Sequence, residues 1–252
     1  MMPALGTKDV HIHLCRPERF AAGGEDSLDA AERGRAGAFK FDKDRDLYIA
    51  AHVFLRRVLS RYAPVTPENW RFVNNAYGKP TIANPGYEWL RFNLSHTGGR
   101  VACAVARNRA VGVDVEQHKP LGDLPSLCRY AFSPLEAEDV LSARLPGEQE
   151  QRFFSYWTLK EAYIKARGMG LSLPLQQFSF VREGQQGWRL EYAPGFQDDG
   201  ETWQFSTRRL GESHALAYCV QAGGDVLKVQ IMEANASGTV CREEFKGVLF
   251  RE

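Results

Sequence analysis

Two acidic residues in the chain have a spacing that suits a divalent cation. Residues 111–117 read VGVDVEQ, and in a strand the valines share one face while Gly112, Asp114 and Glu116 share the other. Carboxylates at this i,i+2 spacing lie about 7 Å apart, and they repel each other unless a cation lies between them. Mg²⁺ takes few protein carboxylates and completes its shell with water and phosphate oxygens. Gly112 leaves room on the same face for a ligand to approach the backbone. Alone, D-x-E is a weak signal, because surface strands often carry it.

A further carboxylate and an ammonium group share one face of a predicted helix. Residues 153–170 read FFSYWTLKEAYIKARGMG and predict a helix that ends at its final glycines. Trp157, Glu161 and Lys165 are four residues apart and therefore follow one stripe of that helix. They form either a solvated ion pair beside a packed ring or one wall of a site that handles phosphate and metal.

Two other segments offer groups that bind phosphate. Lys79 lies between glycine and proline in YGKP, a rigid turn between two strands predicted in residues 70–82. Residues 92–99, FNLSHTGG, read as a short strand followed by a loop with hydroxyls, backbone N–H groups and an imidazole. Because Ser95 accompanies it, His96 is either a simple exposed side chain or a phosphate contact.

The elements that must position these groups follow from periodicity. A helix is predicted over residues 44–62, where apolar residues recur at helical spacing. Capping signals predict helices over 126–132 and 133–144, and alternation predicts strands at 10–15, 100–106, 178–182, 188–192, 203–207 and 215–221. His11 and His13 alternate with apolar residues in the first strand, so a polar strand face explains them better than a metal site.

The two halves of the chain have the same outline of strand, helix and several strands, although no literal repeat relates them. We therefore expect two similar lobes that meet near a turn at Asn108. The acidic pair would then face the seam between the lobes, a usual place for a ligand.

Composition narrows the class of protein. The chain has 252 residues, of which 44% are hydrophobic and 25% charged, as in ordinary globular proteins. The net charge of +1 gives no bulk field for nucleic acid or a membrane surface. No apolar run approaches the roughly 18 residues of a membrane span, and the first residues lack a signal-peptide core. Five scattered cysteines without a C-x-x-C pair predict a reduced, cytoplasmic protein without disulfides or zinc.

Taken together, these motifs resemble one family. The pattern G-x-D-x-E, then F-S-x-x-E, then W-x-x-K-E-A-x-x-K is similar to that of the Sfp-type 4′-phosphopantetheinyl transferases. The YGKP and N-x-S-H-T-G runs stand in the family's order, and the resemblance spans roughly residues 77–175, with the 44–62 helix also fitting. Residues before 40 and after about 222 carry little of it.

The resemblance implies an α+β monomer of two similar lobes related by a pseudo-twofold axis. Each lobe is a helix packed on a small, mostly antiparallel sheet, and the active site lies at their interface. Residues 1–109 would form the N-terminal lobe with coenzyme A contacts, 110–222 the C-terminal lobe with metal and catalytic residues, and 223–252 a strand and peripheral tail.

The implied reaction transfers the 4′-phosphopantetheinyl group from coenzyme A to a serine of an apo acyl or peptidyl carrier protein. Adenosine 3′,5′-bisphosphate is released, and Mg²⁺, with Mn²⁺ as an alternative, is the implied metal. Asp114, Glu116 and Glu161 match the family's metal ligands. Glu161, directly or through a water, is the candidate base for the carrier serine, and Lys165 would stabilise charge on the leaving phosphate. The catalytic set is thus Glu161, Lys165 and Asp114.

Contacts with coenzyme A are also carried over from the family. Lys79, Ser95 and His96 match positions that contact its phosphates, with His96 near the 3′-phosphate. Lys160 and Lys165 match basic residues around the pyrophosphate. The resemblance thus favours the phosphate and metal site over the solvated ion pair for the helix stripe. Trp157 is expected to pack the helix and not to touch substrate.

One departure from the family concerns an arginine early in the first long helix, where this chain has Leu47. Arg45 is the expected substitute. The carrier is expected to dock around residues 119–147. Two alternatives to the enzyme remain open at this point, namely a non-catalytic module that binds coenzyme A or a carrier protein, and a different Mg²⁺-dependent phosphotransferase or nucleotide hydrolase.

Overall fold

Two sheets, each covered by one long helix, form the frame of the protein. The computed structural model describes residues 4–20, 24–183, 187–196, 200–234, 240–245 and 248–249. The helices are α1 (Ala30–Gly37), α2 (Asp42–Leu59), α3 (Leu124–Ala131), α4 (Pro134–Ser142) and α5 (Glu148–Arg167). The strands are β1 (Asp9–Cys15), β2 (Phe72–Asn74), β3 (Pro80–Ile82), β4 (Leu90–Thr97), β5 (Arg100–Arg107), β6 (Val111–Gln117), β7 (Phe178–Glu183), β8 (Gly187–Tyr192), β9 (Trp203–Leu210), β10 (His214–Gln221), β11 (Lys228–Ala234), β12 (Val240–Phe245) and β13 (Val248–Leu249).

The strands pair into two larger sheets and two ribbons. The first sheet has the order β12-β11-β1-β5-β4, and the second has the order β13-β9-β10-β6. Two hairpins, β2-β3 and β7-β8, form the ribbons. Within these sheets β1 and β11 run parallel, with Asp9 opposite Lys228, and the other described pairs are antiparallel. The chain therefore returns near its end to complete the first sheet.

The core is divided into layers by the alternation of the central strands. Apolar residues from one face of β1 and β5 and from the matching face of β6 and β10 pack together between the sheets. α2 covers the outer face of the first sheet, and α5 covers the outer face of the second. The expected α+β architecture of two similar helix-on-sheet lobes is confirmed. The lobe boundary at residue 109 stays a prediction, and Asn108 adopts a left-handed turn there, with φ of 52°.

The two long helices lie close to the ranges predicted from the sequence. α2 runs over Asp42–Leu59 against a prediction of 44–62. α5 begins at Glu148, five residues before the predicted start, and ends as predicted at Arg167. Gly168 closes it with φ of 66°, the left-handed conformation that favours glycine. The predicted capping box of α4 is present, because Ser133 and Glu136 exchange side-chain and backbone hydrogen bonds.

The short strand predicted at the start of residues 92–99 is longer than expected, and the loop predicted after it is correspondingly shorter. The segment belongs to strand β4, which pairs with β5 from Leu90 opposite Arg107 to Thr97 opposite Arg100. The turn is confined to Gly98 and Gly99, the latter with φ of 79°. The polar residues that suggested a loop lie at alternate positions of the strand, where tertiary contacts satisfy them. Pairing with β5 thus overrides the local composition.

The histidines of β1 are buried. They lie on a polar strand face, as predicted, but their polar contacts are with the protein interior and not with solvent. His11 Nδ1 lies 2.8 Å from the Tyr62 hydroxyl and His13 Nε2 lies 2.5 Å from it. Because a hydroxyl has one proton, one imidazole accepts from Tyr62 while the other donates to it. Desolvation, with the nearby Arg61 and His11, lowers the pKa of His13 to about 3. The buried cluster therefore stabilises the neutral form of the His13 imidazole.

This cluster predicts loss of stability on acidification. The unfolded chain protonates His13 near its ordinary pKa of 6.5, whereas the folded chain resists protonation down to about 3. Stability is therefore present above pH 6.5 and falls as the pH drops below it, by about 2 kcal/mol from this group between pH 7 and 5. Urea unfolding at the two pH values measures the fall. His13→Gln, which retains a polar contact for Tyr62 without titrating, should show a shallower decline; an equal decline would contradict the assignment.

The predictions about membrane spans and about cysteines can be compared directly with the described residues. No helix there combines the length and apolar character that a membrane span requires. Within the same residues, Cys15, Cys103, Cys128 and Cys219 are buried free thiols, as expected for a chain without a disulfide framework.

Candidate active site

The two sheets meet along a seam between β4 and β6. Alternate side chains of β4 accept hydrogen bonds from alternate backbone N–H groups of β6, and so satisfy the edge of β6 that pairs with none of the described strands. The contacts are Val113 to Asn93 at 2.8 Å, Val115 to Ser95 at 3.3 Å and Gln117 to Thr97 at 3.3 Å. The seam fixes the register of the acidic strand against the N-S-H-T segment.

Asp114 is the centre of the site. Its carboxylate is 2% exposed, and Oδ1 accepts hydrogen bonds from Ser95 Oγ at 2.8 Å and from Lys165 Nζ at 2.5 Å. Lys165 also donates to Ser95 Oγ at 3.1 Å. Oδ2 is buried without a hydrogen-bond partner in the described structure. A buried carboxylate oxygen without a donor is costly, so this atom is the strongest sign that the site takes a ligand.

The other two carboxylates surround the same centre. Burial raises the pKa of Glu161, Lys165 opposes this, and Asp114 and Glu116 add to it. Burial and Asp114 likewise raise the pKa of Glu116. For Lys165, burial favours the neutral amine, but Asp114 and Glu161 outweigh it and raise the pKa above its usual range. The ion pair between Asp114 and Lys165 thus neutralises the charge of the Asp114 carboxylate.

Gly112 has a different role from the one predicted. A Cβ atom at this position would lie 1.9 Å from the Ala162 carbonyl oxygen and 2.5 Å from the Ala166 nitrogen. The backbone that approaches Gly112 is therefore that of α5 and not that of a ligand. This close contact sets the distance of α5 from β6, and with it the distance of Glu161 and Lys165 from Asp114.

Beside these groups lies a cavity of about 360 Å³. The YGKP turn and the last turns of α5 line it, and Lys79, Glu161 and Lys165 contribute to its wall. Lys79 Nζ donates to the carbonyl oxygens of Val111 and Ala166, each at 3.1 Å. These contacts use two of its three N–H donors. Desolvation lowers the pKa of Lys79 to about 8, so the group is a cation at neutral pH.

Lys160 does not reach this cavity, and its predicted contact with the pyrophosphate lacks support. Its side chain is fully buried and forms an ion pair of 2.8 Å with Glu136. It also donates to the carbonyl oxygens of Leu175 at 2.6 Å and Phe178 at 2.7 Å. The reason is helical geometry: residues adjacent in α5 point about 100° apart, so Lys160 faces the core while Glu161 faces the cavity.

Arg45 is likewise not brought into the site. It is 44% exposed in the first turn of α2 and forms ion pairs with Asp42 at 3.1 Å and Asp46 at 3.4 Å. No described contact joins it to His96 or Lys79. Arg45 lies in the first turn of α2 and points outward, so its side chain does not reach the site. The neighbouring aspartates neutralise its charge locally.

His96 lies beside other basic groups. Desolvation of the ring, followed by the nearby His52 and Lys165, lowers its pKa to about 4. Arg35 adds a smaller effect of the same sign. Arg35 lies on α1 and His52 on α2, so the first lobe places two further basic residues near His96, and neither was selected from the sequence. A contact of Ser95 or His96 with coenzyme A stays a prediction; Ser95 itself is buried and bridges Asp114 and Lys165.

The three carboxylates offer the donor set of a hard divalent cation. They are oxygen ligands, as Mg²⁺ requires, and the orphaned Oδ2 of Asp114 gives one of them an unsatisfied coordination direction. Within the described residues, no three acidic, histidine or cysteine side chains already converge as a formed metal site. The residues therefore fit a cation chemically, with Lys165 in this structure balancing the charge of Asp114.

Trp157 packs as expected and also serves the site. Its ring stacks on Phe153 with an interplanar angle of 11°. Its indole N–H interacts with the Glu116 carboxylate and so opposes the rise in the pKa of Glu116. Asn93 and Thr97 of the seam were not selected from the sequence. Their alternation with Ser95 in N-L-S-H-T, a period of two, is the signal that identifies them.

Comparisons with known proteins agree with this arrangement. The chain matches the model of the 4′-phosphopantetheinyl transferase superfamily over residues 110–219 and that of the 4′-phosphopantetheinyl transferase N-terminal region over residues 22–108. It is 36% identical to the 4′-phosphopantetheinyl transferase HetI of a Nostoc species over 187 residues, which are 73% of this chain and 78% of the relative.

Two relatives from Bacillus subtilis are similar at the same level. The chain is 36% identical to the 4′-phosphopantetheinyl transferase Sfp over 182 residues, or 70% of this chain and 76% of the relative. It is 34% identical to another 4′-phosphopantetheinyl transferase over 212 residues, or 82% and 89% of the two chains. The acidic strand, the α5 motif and these matches lead to one conclusion: the chain belongs to the 4′-phosphopantetheinyl transferase superfamily and is of the Sfp type.

Proposed function

We propose that this protein transfers the 4′-phosphopantetheinyl group of coenzyme A to a serine of an apo carrier protein. Membership of the family supports the activity. The observation that carries the residue assignment is the buried Asp114 carboxylate, held on one oxygen by Lys165 and left without a partner on the other. Glu161 and Lys165 project from α5 into the adjoining cavity, so the acid–base and charge-stabilising groups face one space.

The cavity and its surroundings are suited to an anionic substrate. Lys79 and Lys165 line the cavity, and ammonium groups are effective donors to phosphate oxygens. On the first lobe, the neutral His96 imidazole can donate one hydrogen bond to a phosphate, and the Arg35 guanidinium lies nearby. We assign the pyrophosphate of coenzyme A to the two lysines and its 3′-phosphate to the region of His96. The family has an arginine at the position of Leu47. Arg35 is then a better candidate than Arg45 to replace it.

The chemistry is a substitution at phosphorus. The carrier serine Oγ forms a bond to the phosphorus that bears the pantetheine arm, and the P–O bond to the adjacent phosphate breaks. Glu161, which lines the cavity, takes the serine proton either directly or through a water. Lys165 donates to the leaving phosphate, which departs as part of adenosine 3′,5′-bisphosphate.

A divalent metal completes this proposal. Asp114, Glu116 and Glu161 would hold Mg²⁺, or Mn²⁺ in its place, since all three supply oxygen ligands. When bound, the cation neutralises charge on the pyrophosphate and increases the electrophilicity of phosphorus. Lys165, which lines the same cavity, would supply the ammonium group for the leaving phosphate.

The carrier is expected to dock on the segment around α3 and α4. This surface, which we call the docking hairpin, spans residues 119–147 and displays large apolar side chains to solvent. Tyr130 is 72% exposed and Leu145 is 69% exposed. The other exposed members are Leu127, Leu135 and Leu141. Exposed apolar side chains grouped in this way are typical of an interaction surface. We further propose that the protein acts as a monomer in the cytoplasm.

Mass spectrometry of a carrier domain tests the proposed function. Purified protein, coenzyme A and Mg²⁺ should add one phosphopantetheinyl group to an apo carrier, and adenosine 3′,5′-bisphosphate should appear only when the carrier is present. Glu161→Gln should reduce the rate by about a hundredfold or more, because general-base catalysis contributes 10²–10⁴-fold. A protein that binds coenzyme A but modifies no carrier in a broad panel would be a binding module, and the proposal would be wrong.

Lys79 gives a prediction for substrate binding. Lys79→Met removes one cation from the cavity and should raise the Kd for coenzyme A about tenfold, or about 1.4 kcal/mol. Since the ammonium group titrates at about 8, the cation is present below that pH, and the affinity of the wild type should decline as the pH rises through it. Calorimetric titration at pH 7 and 9 measures both effects. Lys8→Met, which alters an exposed ion pair with Asp225, is the matched control and should retain wild-type affinity.

A further inference from the structure

The residue before Glu161 in α5 forms an ion pair that is entirely buried. Lys160 and Glu136 each have a side-chain exposure of 0%, and their charged atoms lie 2.8 Å apart. The ammonium group has two further acceptors, the carbonyl oxygens of Leu175 and Phe178, and it lies 4.1 Å from the centre of the Phe178 ring. Its three donors are thereby all used within the protein, which leaves it no role in binding a ligand.

The partner carboxylate is equally well satisfied, and by a different set of elements. Glu136 accepts hydrogen bonds from the backbone N–H of Ser133 at 2.9 Å and from that of Phe180 at 2.8 Å. Ser179 Oγ donates to Ser133 Oγ at 2.7 Å. The pair therefore connects the first turn of α4, the middle of α5 and the start of β7. We call this set of contacts the α4–α5 junction.

Stability alone does not account for such a junction. Removing two charges from water costs several kcal/mol per ion, and well-packed apolar side chains of similar volume are often as stable or more so. What an ion pair with fixed hydrogen bonds supplies is direction, since each donor and acceptor restricts how the two helices can shift. The junction fixes the position of α4 relative to one particular turn of α5.

That turn is the one that carries Glu161. Glu161 faces the cavity, while Lys160 anchors the same turn to Glu136. On the other side of the junction, Leu135 is 56% exposed at the start of α4, within the docking hairpin. The α4–α5 junction therefore lies between the proposed carrier surface on α4 and the turn of α5 that carries the proposed base.

We propose that Lys160 and Glu136 are positioning residues that hold the docking hairpin in register with Glu161. This inference rests on the proposed function, because it assigns the carrier to α4 and the base to Glu161. The pair acts on the step in which the carrier serine meets the phosphorus. Binding of coenzyme A, whose proposed contacts lie on the turn at Lys79 and on the cavity side of α5, does not depend on it.

The test compares stability with turnover in charge-removal variants. Lys160→Met leaves the Glu136 carboxylate buried without its cation and should lower the Tm strongly. The double variant Lys160→Met/Glu136→Gln removes both charges and should recover most of that loss. Its kcat at saturating carrier should nevertheless remain about tenfold below the wild type, while the Kd for coenzyme A changes by less than twofold. A double variant that recovers both Tm and kcat would show a purely structural role and overturn the inference.

Two further variants keep the test decisive if the double variant does not fold. Ser179→Ala removes a hydrogen bond from the rim of the junction without removing charge, and it should lower kcat about threefold with coenzyme A affinity intact. An unchanged kcat would count against the inference. Tyr156→Phe is the matched control, because it removes a 2.8 Å bond to Asp139 between the same two helices but outside the junction; its kcat should equal that of the wild type, and an equal loss there would overturn the inference. Wild-type protein that modifies no carrier would instead refute the proposed function.

Discussion

Asp114→Asn is expected to reduce carrier modification at least about a thousandfold, equivalent to about 4 kcal/mol of transition-state stabilisation. The substitution preserves shape but removes the negative charge that Lys165 faces at 2.5 Å. It also replaces one carboxylate oxygen with an amide nitrogen, which cannot ligate a cation. Both the ammonium group and the proposed metal lose their counter-charge at once, so raising the concentration of Mg²⁺ should not restore the rate. Mass spectrometry of the carrier product measures the effect.

A second acid-to-amide variant isolates the local cause. Asp225 pairs with Lys8 and Arg109 outside the candidate site, and Asp225→Asn should leave the transfer rate within about twofold. Circular dichroism should show that both variants are folded. If Asp114→Asn retains wild-type turnover while folded, the carboxylate takes no part in the reaction and the assignment of the site is wrong.

Gly112→Ala is expected to reduce transfer about a hundredfold although no reacting group is changed. The added methyl would lie 1.9 Å from the Ala162 carbonyl oxygen, so α5 must move away from β6 by more than an ångström. A displacement of that size can cost about 10²-fold when it moves catalytic groups, and α5 carries both Glu161 and Lys165. Overpacking of this kind also destabilises a fold by about 1–3 kcal/mol. Steady-state kinetics and a thermal melt measure the two effects.

The matched control is a glycine with free space around it. Gly34 lies within α1, and a Cβ atom there would meet no atom within 4 Å. Gly34→Ala should leave turnover unchanged and raise stability by up to about 1 kcal/mol, because alanine is the better helix former. If Gly112→Ala retains full activity, the position of α5 is not what sets the geometry of the site.

The site residues that could be predicted are those whose chemistry shows in local sequence. D-x-E in an alternating strand and the four-residue spacing of Glu161 and Lys165 indicated which charged side chains share a face, because strand and helix periods fix this from local sequence. Lys79 was identified in the same way, since a glycine and a proline on either side define its turn.

Other features of the site could not be predicted from the sequence, for a different reason. Lys160 has the same charge as Lys165 and stands in the same motif, but helical geometry turns it to the core, where its partner Glu136 comes from another helix. Gly112 marks a close approach correctly, yet the sequence does not say which backbone approaches. The polar residues after Phe92 suggested that the strand soon gives way to a loop, and only the pairing with β5 and the seam with β6 extend the strand to Thr97. Long-range partners decide each of these cases.

The parallel pairing of β1 with β11 has a consequence for how the chain is made. β1 lies between β5 and β11, and its Asp9 pairs with Lys228 from the far end of the sequence. During synthesis, β1 and β5 emerge well before β11, so the first sheet lacks this strand until residues 228–234 have been translated. Contacts of such sequence separation form slowly, and the nascent chain exposes an unpaired strand edge in the meantime. The lobe encoded first is therefore among the last parts of the molecule to be completed.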